Sequence, residues 1–161
     1  MNAHNLQLHQ ETILIIGIGN IFRGDDGAGL AAARLIRELQ LPGVAVLELD
    51  GDPSTLLDRW QGAQRVVVID AVASQSSPGR IFRFAAQAAP LPRRLFACCS
   101  CHSFGLAEQI EIARSLQQLP PSLTVYGIEG KDFRLGSGLS PEVQQALPRL
   151  VEQIREDLGI C

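Results

Sequence analysis

The stretch from Ile13 to Gly29, ILIIGIGNIFRGDDGAG, constrains the fold of this chain more than any other. It begins with an apolar run of the kind that makes a strand buried on both faces. Gly17 and Gly19 then allow a sharp turn and the close approach of another group. Asp25 and Asp26 follow at the start of a helix, where a carboxylate caps free N–H groups and meets the positive end of the dipole. In an α/β sheet such a junction lies at the carboxyl end of a strand, where these folds place their sites.

The rest of the chain repeats that alternation. Residues 1–11 read as a flexible leader, 12–18 as the first strand and 26–39 as the first helix, with an apolar stripe of Ala28, Ala32, Leu35 and Leu39. A strand over 44–49 leads to Asp50-Gly51-Asp52, whose acids shape a turn, and Pro53 opens a short helix to about Trp60. A Val/Ile strand over 65–69 delivers Asp70, and alternation over 80–84 predicts an edge strand. Residues 85–100 read as irregular because Pro90 and Pro92 oppose a helix. A helix follows over about 103–116, with Leu106, Ile110 and Ala113 on one face, and then a strand over 123–128. Ser140-Pro141-Glu142 starts the last helix, whose stripe is Val143, Leu147, Leu150, Val151, Ile154 and Leu158. The expectation is one α/β domain over 1–161: a mostly parallel central sheet, helices on both faces and one antiparallel edge strand.

Composition narrows the function classes. The formal charge is −3 and Lys131 is the only lysine, so no basic stripe suits nucleic acid. No apolar run is long enough to span a bilayer. Three of the four cysteines crowd into 98–101, unlike a spaced disulfide framework. These features point to the cytoplasm, and a monomer without an organic cofactor is expected.

Strand-end topology brings three polar positions to one edge: Asp26, Asp70 and His102. Two carboxylates and an imidazole form an N/O set for a divalent transition metal with positions left open. Each has a plainer role: Asp25 or Asp26 caps the first helix, Asp70 caps a turn, and His102 caps or packs. Gly17-Ile18-Gly19 begins like a dinucleotide fingerprint, but Phe22 stands where the third glycine belongs. Acids at Asp25 and Asp26 also disfavour a phosphate at that helix end. Cys98, Cys99 and Cys101 beside His102 suggest metal or redox chemistry, without the second pair that a structural zinc site needs.

Taken in order, Gly17-Ile-Gly-Asn20, Gly24-Asp-Asp-Gly-Ala-Gly29, Val68-Ile-Asp70-Ala71, His102-Ser-Phe-Gly-Leu106, Gly127-Ile-Glu129 and Gly138-Leu-Ser-Pro-Glu142 resemble the hydrogenase maturation endopeptidases. The resemblance implies an endopeptidase that trims the C-terminal extension of a [NiFe]-hydrogenase large-subunit precursor after nickel insertion. It implies that Asp26, Asp70 and His102 form a site recognising nickel held mainly by that precursor. Relatives often carry glutamate at the first acid, so Asp26 has shorter reach. Two rival readings remain: a non-catalytic nickel- or zinc-binding accessory protein using His102 and the cysteines, and a nucleotide-binding α/β enzyme.

Overall fold

The computed structural model describes residues 12–50, 52–96 and 105–160. Its sheet contains β1 (Ile13–Gly19), β2 (Val44–Asp50), β3 (Arg65–Val72), β4 (Ile81–Ala85) and β5 (Ser122–Glu129), in the spatial order β2-β1-β3-β5-β4. All neighbours pair in parallel except β4, which lies antiparallel on β5 at the edge. The Val- and Ile-rich runs suit this arrangement because parallel strands are covered on both faces.

Alternation along the strands divides the core in two. α1 (Ala28–Glu38) and α5 (Pro141–Leu158) cover the face that carries Ile15, Val67, Ile69, Tyr126 and Ile128. The opposite face carries Leu14, Ile16, Val66, Val68, Leu123 and Val125. It is covered by α2 (Leu56–Arg59), α3 (Arg93–Phe96) and α4 (Leu106–Ser115). Trp60 is buried there, its indole N–H donating to the Gln118 carbonyl at 3.1 Å.

Three local expectations are corrected. Gly24–Gly27 form a 3-10 turn, and the first helix begins only at Ala28. It buries Ala28, Ala32, Ala33 and Ile36, while Leu35 and Leu39 of the expected stripe are exposed. Gly29 explains the rotation: a β-carbon there would lie 2.3 Å from the Ile18 carbonyl oxygen and 2.4 Å from that of Ile69. The helix presses on the sheet through its smallest residues, and this approach overrides the larger apolar side chains. Second, β3 continues past Ile69 to Val72 because β5 pairs along it as far as Val72↔Glu129, so Asp70 lies within the strand. Third, the segment read as irregular holds the short helix α3, which starts directly after Pro92 and so loses no internal hydrogen bond to it.

The last helix forms as its signals dictate. The Ser140 hydroxyl accepts from Val143 N at 3.5 Å, and Pro141 sits in the first turn. Gly159 ends the helix in the left-handed region at φ 68°. No helix among the described residues is long and apolar enough to cross a membrane.

Candidate active site

Parallel pairing carries the ends of β1, β2, β3 and β5 to one edge of the sheet. Asp26 reaches that edge from the 3-10 turn after β1, and the residue is 5% exposed. The turn folds back closely: a β-carbon on Gly19 would lie 2.0 Å from the Asp26 carbonyl oxygen. Asn20 N donates to Asp26 Oδ2 at 3.1 Å. Asp70 lies on the adjoining strand, one residue beyond the Gly17↔Ile69 pair, and its Oδ1 accepts from Ala71 N at 2.8 Å. The turn that carries Asp26 contacts both β1 and β3, so the two acids share one stretch of the edge.

Alternation places Asp70 on the face of Val66, Val68 and Val72, where Leu106 and Ile110 of α4 also pack. His102 precedes α4 in the chain and lies outside the described residues, as do Cys98, Cys99 and Cys101. Among the described residues no group of three or more His, Cys, Asp and Glu side chains is placed to hold a metal. The described part of the site therefore offers two carboxylates with oxygen donors, suited to accepting protons or meeting a cation.

Asp25 does not cap the first helix. It is fully buried and joins that turn to the segment leading into α5. Its carboxylate accepts from Lys131 N at 2.7 Å, Asp132 N at 3.0 Å, Ser140 N at 2.7 Å and Ser140 Oγ at 2.9 Å. Its own N–H donates to the Asp132 carbonyl at 2.8 Å. A carboxyl group filled by three backbone N–H groups and a hydroxyl fixes two loops at once. Sequence reading missed this role because nothing local marks which of two adjacent acids turns inward.

Glu129 was missed as well. It is 2% exposed at the end of β5, and its carboxylate accepts from Ser74 N at 2.9 Å and Ser74 Oγ at 2.7 Å. It thereby fixes the chain that leaves β3 just after Asp70. The available signal resembled the one that selected Asp70, an acid directly after a mostly apolar strand run, here 123–128.

Exposed charges border this region. Lys131 Nζ lies 2.6 Å from Glu142 Oε1 and holds the Glu142 carboxyl below its usual value. Arg134 hydrogen-bonds Asp132 through its side chain and backbone and holds that carboxyl at about 2. The glycines of the opening stretch are engaged in packing: a β-carbon on Gly17 would lie 2.3 Å from the Gly29 carbonyl oxygen.

These features define an α/β protein whose acids gather at the carboxyl edge of a mostly parallel sheet. A family model described as hydrogenase maturation protease matches residues 30–157. Protein FrxA of Pyrococcus furiosus is 31% identical over 134 residues, covering 81% of this chain and 93% of that protein. The hydrogenase maturating endopeptidase HybD from Escherichia coli superposes with a TM-score of 0.73 at 26% identity, with 92% of each chain covered. The [NiFe] hydrogenase maturation protease HycI from Thermococcus kodakarensis gives 0.72 at 26% identity, covering 92% of this chain and 93% of that one. The chain belongs to the hydrogenase maturation proteases and is an endopeptidase.

Proposed function

We propose that this endopeptidase removes a C-terminal extension from the large-subunit precursor of a [NiFe]-hydrogenase after nickel insertion. The observation that carries the reading is the placing of Asp26 and Asp70 on adjoining elements of one sheet edge, within a fold shared with maturation proteases. In this reading nickel arrives as part of the substrate. Asp26, Asp70 and His102 engage it, and the peptide beside it is thereby fixed at the edge. Asp26 or Asp70 accepts a proton from a water whose oxygen adds to the scissile carbonyl; the C–N bond then breaks and the leaving amine takes the proton. Nickel either polarises that carbonyl or only aligns it. Cysteines unlike a disulfide framework favour a cytoplasmic setting for this step.

The test is incubation with nickel-loaded and nickel-free precursor, with the released peptide identified by mass. Release from the loaded form alone is expected. Equal cleavage of both removes nickel recognition from the reading, and cleavage of neither removes the substrate.

A further inference from the structure

We infer that a groove farther along the same edge, between residues 77–80 and α5, binds acidic side chains of an extended segment of the substrate protein. This deepens the endopeptidase reading and rests on it. The groove has a volume of about 540 Å³ and takes Ser77, Arg80, Glu142, Gln145 and Arg149 into its lining. It lies at the end of β5, where Gly79 N donates to the Glu129 carbonyl at 2.7 Å and Glu129 N to the Arg80 carbonyl at 2.8 Å. β5 neighbours β3 with Asp70 paired to Gly127, so Asp70 and the start of β4 are two strands apart. At roughly 4.8 Å per strand that gap is about 10 Å, which about three extended residues span. Asp70 faces the α4 side and the groove lies on the α5 side, so a segment running from the acids reaches the groove by crossing over the strand ends.

The charges in the groove select its occupant. Arg80 and Arg149 have no ion pair among the described residues. Each is held by neutral contacts instead. Arg80 Nη1 donates to Ser76 Oγ at 3.3 Å, and its guanidinium lies 4.6 Å from the Phe82 ring centre. Arg149 Nη2 donates to the Gly79 carbonyl at 3.3 Å. Their remaining N–H groups suit carboxylates, which a guanidinium binds bidentately. Glu142 is the acid in the lining; Lys131 Nζ lies 2.6 Å from its Oε1, while its Oε2 is buried without a hydrogen bond. With Glu142 paired to Lys131, the lining keeps two guanidiniums that have no ion pair among the described residues.

A carboxylate at a chain terminus fits less well, because such an end is usually captured by a nest of free backbone N–H groups. Here Gly79 N is engaged by Glu129, Arg80 N donates to the Ser77 carbonyl at 3.1 Å, and Pro78 has none.

Two peptides separate the sources: an acetylated, amidated tetraglutamate, and an acetylated tetraglutamine with a free carboxyl terminus. Both are titrated into the isotopically labelled full chain and followed by amide and arginine Nε shifts in NMR. Tetraglutamate is expected to move Gly79, Arg80, Gln145 and Arg149, and the Arg80→Gln/Arg149→Gln variant to abolish those shifts. In a processing assay that variant is expected to raise KM about ten-fold with kcat unchanged. Shifts given by tetraglutamine instead, shifts elsewhere, or shifts that persist in the variant overturn the assignment. Binding is read without catalysis, so a chain that binds tetraglutamate but cleaves no precursor counts against the protease substrate and not against the groove.

Discussion

At the residue scale, two adjacent acids do different work. Asp26 presents its carboxylate at the edge with Asn20 N on one oxygen, whereas Asp25 is filled by four donors from a distant segment. Asp26→Asn and Asp70→Asn are expected to lower processing at least about 100-fold, a loss typical of a missing general base or ligand, with the thermal melt nearly unchanged. A folded variant of either that processes normally removes that residue from the site. Asp25→Asn should act first on stability, because an amide cannot accept all those donors. Leaving buried N–H groups unpaired costs about 3 kcal/mol, or roughly 6–12 °C in melting temperature for a domain of this size. A melt within a degree or two of the parent chain would refute the buried-hub role. The candidate acids were legible in the sequence because each follows a run that only a buried strand explains. The division of labour between them was not, since Asp25's partners are more than 100 residues away in the chain.

At the element scale, the strands were legible because Val and Ile runs of that length have few other fates. The first helix was misread in its rotation. Leu35 and Leu39 obey helical spacing, yet Gly29 decides which side meets β1 and β3. Gly29→Ala therefore forces the helix off the sheet edge that it shares with Asp26 and Asp70. Overpacking of this kind costs about 1–3 kcal/mol, and the displaced turn should lower processing further than the stability loss explains. Unchanged urea midpoint and unchanged turnover together would contradict that close contact. The last helix gives a pH-dependent test. The Tyr126 hydroxyl donates to Asp157, and Arg83 Nε lies 2.5 Å from the same carboxylate. Burial first, and then Asp157, raise the Tyr126 phenol, which keeps it a donor at neutral pH. The hydrogen bond from Tyr126, with that from Arg83, holds Asp157 below its usual 3.8. A lowered carboxyl stabilises the fold above its unfolded value and loses that contribution as pH falls through its folded value. Tyr126→Phe should thus cost about 1 kcal/mol near neutral pH, a figure trimmed for the exposure of Asp157. The difference from the parent chain should narrow below about pH 4 in denaturant titrations. A gap that widens toward acid would reverse the assignment.

At the scale of the whole molecule, the net charge of −3 opposes any acidic partner, while Arg80 and Arg149 attract one locally. Distance decides between these effects. Seen from about 20 Å, three net charges in water repel a unit charge by about 0.6 kcal/mol, and screening at 0.1 M salt leaves about a tenth of a kcal/mol. A carboxylate about 4 Å from a guanidinium gains about 1 kcal/mol in water, and the groove presents two guanidiniums. Local attraction dominates, and it acts within one Debye length, so it steers little from afar but holds what has docked. Raising salt from about 0.05 to 0.5 M should therefore raise KM for the precursor several-fold while leaving kcat in place. In Arg80→Gln/Arg149→Gln the same titration should be nearly flat, because the interaction that salt weakens is already gone. An equal salt slope in parent and variant would assign the charge dependence to some other surface and leave the groove without a part in docking.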